Sequence, residues 1–284
     1  MKCLICGWEG KNQRSISGHV VYCHSILAND YKDKFDLFKK CERCGKRLSE
    51  NCKGKYCKGC IGDSEINKKE CFIPMSPTFS YFLGLAQTDG SMTKSSRHRG
   101  KFQLELSYRD RHILKGVSKI IPCNYTICDR TRKIIKLNGR VYRNKKFSLL
   151  RVCDWGFRDF LEQCGVPYGK KSDIIKPPHL TNLFIPDYIR GLYDGDGSVG
   201  FTAQGLPFLS FCTKSELIKE FILQYVSDIT GKPLRKINRQ KRDNVYNIMI
   251  ANQDSLTLGN ALYYEGCVAI SRKYKKARDI LNNS

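Results

Sequence analysis

Two aspartates in matching surroundings, and two clusters of thiol and imidazole, hold most of the chemistry this sequence can offer. Asp89 closes the segment Phe82-Leu83-Gly84-Leu85-Ala86-Gln87-Thr88-Asp89-Gly90-Ser91-Met92, and Asp196 lies 107 residues later in Ile189-Arg190-Gly191-Leu192-Tyr193-Asp194-Gly195-Asp196-Gly197-Ser198-Val199. Brought together, two such carboxylates cannot both stay ionised without a cation between them. A hard divalent ion such as Mg2+, bound by carboxylates plus phosphate, meets that need. Near the amino terminus, Cys3-x2-Cys6-x12-His19-x4-His24 has the spacing of a tetrahedral zinc site with two thiolates and two imidazoles. Cys23 is an alternative to His24 as its fourth ligand. Cys41-x2-Cys44-x12-Cys57-x2-Cys60 gives two knuckles of a four-cysteine zinc module, with Cys52 the alternative to Cys57 or Cys60. Two structural Zn2+ ions are therefore expected.

The elements that must position the aspartates are two helices. Pro77 and Pro186 open them, apolar residues fill their middles, and Asp-Gly-Ser closes them. Each helix so ends on a carboxylate, although a helix C-terminus carries partial negative charge and favours a cation by about 0.3–1 kcal/mol. Something positive must compensate. Gly84 and Thr88, like Gly191 and Gly195, stand at i and i+4 and form stripes with little side chain, which let two helix backbones approach closely.

Composition narrows the setting. A chain of 284 residues is long enough for about two domains of ~150 residues with a sizeable core. Lys and Arg total 50 against 27 Asp and Glu, a net charge of +23, the electrostatic footprint of a polyanion partner. No apolar run of ~18 residues argues for a membrane span, and Met1-Lys2-Cys3-Leu4-Ile5-Cys6-Gly7 lacks the apolar core of a secretory signal. The paired cysteines point to reduced thiols and metal instead of disulfides. Residues 61–76, polar and without period, read as a linker.

Beyond the first motif, Phe102, Leu104, Leu106 and Tyr108 alternate with Lys101, Gln103, Glu105 and Ser107, the pattern of a half-buried strand. A helical period comes next at Ile113, Leu114, Val117, Ile120 and Ile121, then strands around 125–136 and 145–153, then a packing helix with Trp155, Phe157, Phe160 and Leu161. The second half repeats the order, with strands at 199–202 and 207–212, a helix carrying Leu217, Ile218, Phe221, Ile222, Tyr225 and Val226, and strands at 234–239 and 245–251. Cys123, Cys128, Cys153, Cys164, Cys212 and Cys267 are expected as buried small apolar residues.

The paired motifs resemble those of the single-chain LAGLIDADG homing endonucleases, and the resemblance runs from about Pro77 to the C-terminus. It implies an α+β fold: an αββαββα unit repeated with pseudo-twofold symmetry, one four-stranded antiparallel sheet in each half. Preceded by the zinc modules, the expected domains are a finger at 1–40, a four-cysteine module at 41–60, the linker at 61–76, and repeats at 77–180 and 181–284. The resemblance makes Asp89 and Asp196, with Gly90 and Gly197, the catalytic metal ligands. It makes Lys171 and Lys273 basic residues that orient water or stabilise charge. Gln87 departs from the family's usual aspartate, which Asp194 keeps.

The polar faces of such sheets carry Arg99, Lys101, Gln103, Arg130, Arg132, Arg143, Lys145, Arg235, Lys236, Asn238, Arg239, Lys241 and Arg242 in this reading. These residue types read guanine and adenine edges and grip phosphates. The expected activity is a staggered double-strand break in a long asymmetric DNA target, by a monomer that uses Mg2+. An intron-splicing maturase, whose partner is its own intron RNA, and a non-cleaving DNA-binding regulator are the alternatives. The expected setting is the cytoplasm of a prokaryotic or phage-infected cell, with an organelle as the alternative.

Overall fold

A computed structural model describes residues 1–35, 37–42, 45–48, 70–95, 99–132, 135–137, 140–142 and 145–282. The chain divides into two compact units, Met1–Asn67 and Lys68–Ser284.

In the first unit, helix α1 (Gln13–His24) begins at a capping box in which the Asn12 side chain and the Ser15 backbone and side chain satisfy each other. Ile16 and Val20 of α1 pack against Tyr31 of α2 (Ala28–Lys34) and against Cys3. Two turns in this unit share one geometry. The Cys3 N–H donates to Trp8 O and Gly7 N–H to Cys3 O; likewise Cys41 N–H donates to Lys46 O and Gly45 N–H to Cys41 O. Gly7 (φ 78°) and Gly45 (φ 68°) both take the left-handed conformation that closes such a turn. Cys44, Cys57 and Cys60 lie outside the described residues, as does Cys52.

The second unit is built on helices α3 (Pro77–Thr88) and α6 (Ile185–Asp196). The Ser76 side chain caps α3 by accepting from Phe79 N–H, and Pro77 sits in the first turn, where no donor is needed. Every residue from Phe79 to Gln87 is buried, as is every one from Asp187 to Asp194, so both are central helices without a solvent face. A Cβ on Gly84 would lie 2.2 Å from Tyr188 O, and one on Gly191 2.2 Å from Tyr81 O, distances that no side chain tolerates. The helices meet backbone to backbone because these glycines permit it.

Flanking α3, strands β1 (Gly90–Lys94), β2 (Gly100–Ser107), β3 (Tyr125–Arg132) and β6 (Lys145–Val152) form an antiparallel sheet in the order β1-β2-β6-β3. Strands β4 (Ile135–Leu137) and β5 (Arg140–Tyr142) make a separate two-stranded ladder between β3 and β6 in the chain. Helices α4 (Arg111–Ser118) and α5 (Trp155–Gln163) belong to this half, and Phe102 of β2 stacks edge-on with Phe82 of α3 (5.6 Å) and Phe157 of α5 (5.8 Å). Burying each such ring stabilises by about 1.5–3 kcal/mol.

The second half has β7 (Gly197–Phe201), β8 (Pro207–Thr213), α7 (Glu216–Thr230), β9 (Tyr246–Ala251), α8 (Gln253–Leu262) and α9 (Ser271–Asn282). Its sheet has three described strands, β7-β8-β9, where four are expected. Residues 234–239 form no strand. Leu234 is exposed and only Ile237 of that stretch packs against the core, so no alternating apolar face holds it in a ladder.

Three further expectations change. The end of the supposed linker is core, because Ile73 is buried and Met75 packs beside it. Of the six scattered cysteines only Cys164 is buried; Cys128, Cys153 and Cys212 are exposed on or beside strands. Leu217, expected among the apolar residues of its helix, is also exposed. Among the described residues no helix is long and apolar enough to cross a membrane.

Candidate active site and nucleic-acid interface

The close approach of α3 and α6 carries Asp89 and Asp196 to the same end of the helix pair. Asp89 is the C-cap of α3, and Asp196 is the last residue of α6. A Cβ on Gly195 would come within 2.0 Å of Thr88 Oγ1 and 2.8 Å of Asp89 Oδ2, so the second helix passes directly beside the first carboxylate.

Beneath the aspartates the halves grip each other crosswise. Tyr81 of α3 donates its hydroxyl hydrogen to Asp194 of α6 (2.8 Å), and Tyr188 of α6 donates to Gln87 Oε1 of α3 (2.6 Å). The Gln87 amide then donates to Gly165 O (2.8 Å) and Lys176 O (3.0 Å). Asp194 accepts from Tyr263 (3.0 Å) and from Ile270 N–H (2.7 Å) as well. The departure at Gln87 thus has a local cause: its neighbours are two carbonyls, which an aspartate could not satisfy. Burial raises the Asp194 carboxyl, opposed by these donors, and raises the hydroxyls of Tyr81 and Tyr263 well above the usual tyrosine range.

The cation that a helix C-terminus favours is present at both ends. Lys171 Nζ donates to Ala86 O at 2.6 Å. Lys273 Nζ donates to Tyr193 O (2.7 Å), Asp194 O (2.8 Å) and Gly197 O (2.7 Å). An ammonium has three N–H bonds. Lys273 directs all of them to backbone and so clamps the end of α6, with its charge held beside the aspartates. For Lys171 one such bond is found among the described residues. Burial lowers both lysines to about 8, with Asp89 and Asp196 opposing the shift at Lys171, and Asp194 foremost in opposing it at Lys273.

The carboxylates respond to the same surroundings. Burial, then the charge of Asp196, raises Asp89 to about 6 against the pull of Lys273, Lys171 and Arg272. Asp196 is exposed at its surface but backed by protein, and burial raises it as well, against Lys171 and Lys273. A pair so disposed gains from a cation. No third carboxylate, thiol or imidazole joins them among the described residues. That leaves coordination positions for water and phosphate, the donor set Mg2+ prefers. Of the expected backbone ligands, the Gly197 carbonyl already accepts from Lys273, leaving one lone pair, and Gly90 pairs with Leu104 at the start of β1.

The expected DNA-contacting residues separate. By ladder register Lys101 and Gln103 share the open face of the first sheet with Arg130, which is paired with Glu105. Arg132 and Lys145 are opposite each other at the end of the β3–β6 ladder. Arg99 precedes β2, and Arg143 lies outside the described residues. Arg235, Lys236, Asn238, Arg239, Lys241 and Arg242 are not on the second sheet at all, because the strand expected there does not form. Arg235 and Lys232 pair with Asp254, Arg239 donates to Lys214 O (3.0 Å), and Arg242 pairs with Asp243 (2.7 Å).

Sequence reasoning missed Arg151. It lies opposite Gln103 in one ladder and Thr126 in the other, at the centre of the open face. The signal that could have found it is partial: Leu150 and Val152 are buried on the opposite face, but Leu149, on the face of Arg151, is buried too.

In the first unit the ligand atoms of Cys3, Cys6, His19 and His24 all lie within 4.8 Å of one another. The Cys3–His24, Cys6–His19 and Cys6–His24 separations are 3.5, 3.2 and 3.3 Å. A tetrahedron with Zn–S of ~2.3 Å and Zn–N of ~2.0 Å has S···N edges of roughly 3.5 Å, so these atoms fit zinc. Cys23 is outside the group. Trp8 stacks on His19 (4.4 Å between centroids) and fixes its ring. Cys3 is drawn down to about 6: burial would raise it, but the N–H groups of Cys6 and Ile5 hydrogen-bond the sulfur.

No protein-family model and no curated protein sequence matches the chain. The similarity is in the fold. The homing endonuclease I-WcaI, solved bound to its DNA recognition sequence, superimposes with a TM-score of 0.50 over 81% of this chain and 94% of its own, at 15% identity. The fold is that of the LAGLIDADG homing endonucleases. I-SmaMI, solved on an uncleaved DNA target in the presence of calcium ions, covers 74% of this chain and 90% of its own at 12% identity and a TM-score of 0.46. The LAGLIDADG homing endonuclease I-GzeII, in complex with a DNA target, covers 74% and 89% at 15% identity and a TM-score of 0.43.

Proposed function

We propose that this chain is a site-specific DNA endonuclease that hydrolyses phosphodiesters with a divalent metal and makes a staggered double-strand break in a long asymmetric target. The observation that carries the reading is the pair Asp89 and Asp196, raised carboxylates at the adjoining ends of two backbone-packed helices. The fold, shared with an endonuclease solved on its recognition sequence, and the net charge of +23 support DNA as the partner.

Asp89 and Asp196 would hold the metal, with Mg2+ the expected ion. A divalent cation there activates water and neutralises charge developing on the phosphate. The protein's own part is positioning. Gly84 and Gly191 fix the helix separation, Lys273 clamps the end of α6, and Lys171, anchored to Ala86 O, is the lysine placed to meet water or phosphate. The open sheet faces take the duplex, one on each side of the helix pair. Zinc bound by Cys3, Cys6, His19 and His24 folds the first unit, which extends the contact along DNA. A second zinc belongs to the turn of Cys41, whose hydrogen bonds repeat those of Cys3.

The test is digestion of a randomised duplex library by the full chain with Mg2+, combined with sequencing of the cut ends. Enriched ends at one sequence are expected, and two zinc ions per chain by elemental analysis. Intact library at all divalent-ion concentrations would overturn the reading.

A further inference from the structure

The two open sheet faces differ in chemistry. On the first, ladder register aligns Lys101, Gln103 and Glu105 of β2 with Phe147, Leu149 and Arg151 of β6 and with Thr126, Cys128 and Arg130 of β3, Leu149 being buried among them. On the second, the face opposite buried Val199, Leu209, Phe211, Ile248 and Ile250 consists of Ser198 and Gly200 of β7, Phe208, Ser210 and Cys212 of β8, and Asn247, Met249 and Ala251 of β9. That set contains no charge. Met249 of the outer strand β9 is 43% exposed, with Asn247 exposed beside it. The cations near this half sit off the sheet, and Lys232, Arg235 and Arg242 are paired with Asp254 and Asp243.

Arg151 adds a second observation. Its Nε is buried and has no hydrogen-bond partner, although it lies on a face otherwise open to a ligand. A buried donor without an acceptor costs about 1–3 kcal/mol.

Resting on the endonuclease reading above, we propose that the two halves read different kinds of sequence. The first sheet specifies guanines through Arg151 and Lys101, with Gln103 reading an adenine among them. The second reads A·T pairs through apolar contact with thymine methyls and through Asn247. The pairing rules come from geometry: Arg and Lys match the two acceptors of guanine, Asn and Gln the donor and acceptor of adenine, and apolar groups the thymine methyl. Because each good bidentate pair discriminates by roughly five- to more than a hundredfold, the first half-site is the more stringent.

The experiment is selection of bound duplexes from a randomised pool by the full zinc-loaded chain in Ca2+. The selection is repeated with Arg151→Ala, Gln103→Ala and Asn247→Ala, each variant first checked for an unchanged melting temperature. The expected site has conserved guanines in one half and A·T pairs with weaker conservation in the other. Arg151→Ala or Gln103→Ala should relax a position in the guanine half by tenfold or more, and Asn247→Ala a position in the other. Met249→Arg should create a new guanine preference in the A·T half. An enriched site with equal guanine content and stringency in both halves, or one that Arg151→Ala and Gln103→Ala leave unchanged, would overturn this inference alone. A pool that yields no enriched site would overturn the DNA-target reading and this inference with it.

Discussion

The two motif helices are equal in length, 12 residues each, yet their ends are held by different means. At the end of α6 a buried carboxylate, Asp194, gathers donors from Tyr81, Tyr263 and Ile270, while Lys273 binds three carbonyls of the same turn. At the end of α3 a neutral amide, Gln87, joins a hydroxyl to two carbonyls, and Lys171 binds one carbonyl. The difference arises from the segments that carry the two lysines. In the second half, Lys273 is anchored near the start of α9; in the first, Lys171 opens a short turn in which Ile174 and Ile175 N–H donate to its carbonyl. Symmetry is thus kept at Asp89 and Asp196 and relaxed one layer below, where any arrangement that satisfies the buried polar groups suffices.

The equality of the two aspartates would be broken most severely by substitution. Asp89→Asn and Asp196→Asn are each expected to abolish double-strand cleavage while leaving duplex binding largely intact, measured by plasmid linearisation and by gel shift. Full cleavage by either variant would remove that residue from the site.

The layer beneath should respond unequally. Asp194→Ala leaves two buried hydroxyls and an N–H without their acceptor and is expected to destabilise by on the order of 3 kcal/mol in denaturant titration. Gln87→Asp makes the first motif more like the second, yet it should also destabilise, by roughly 1–3 kcal/mol, because Gly165 O and Lys176 O lose their donor. A stable Gln87→Asp variant would mean that the surrounding loop can reorganise as the second half does.

The lysines sharpen the same contrast. Lys273→Met should lower stability by about 2 kcal/mol, through three carbonyls left without a donor. Lys171→Met should cost about 1 kcal/mol yet reduce cleavage rate more. Equal losses of rate per unit of lost stability would make both lysines purely structural.

The same groups should set the pH dependence of stability, without added divalent ion. Asp89 is raised from 3.8 to about 6, so between those values the folded chain binds more protons than the unfolded chain, and stability falls as pH rises. Lys171 and Lys273 are lowered from 10.5 to about 8; there the unfolded chain binds more protons, and stability rises from about pH 8 to 10.5. Asp89→Asn should flatten part of the acidic limb and Lys171→Met part of the basic limb, in denaturant midpoints measured across pH. Unchanged limbs would mean that these groups are better solvated than their burial indicates.

Local sequence determined the motif helices, since Pro77, Pro186 and the Asp-Gly turns act within a few residues of themselves. It also determined the strands with strict alternation, such as Phe102-Gln103-Leu104-Glu105-Leu106, and the spacing that brings Cys3, Cys6, His19 and His24 within 4.8 Å. The expected strand at 234–239 did not form, because alternation of residue types guides pairing only when one face finds a core to bury. Tertiary structure alone decided which polar groups meet across long separations. Tyr81 with Asp194, Gln87 with Gly165 and Lys176, and Lys273 with the end of α6 are contacts between residues 76 to 113 positions apart, and no local period encodes them. Arg151 belongs to the same class: its neighbours Gln103 and Thr126 come from two other strands, and only the assembled sheet makes them one surface.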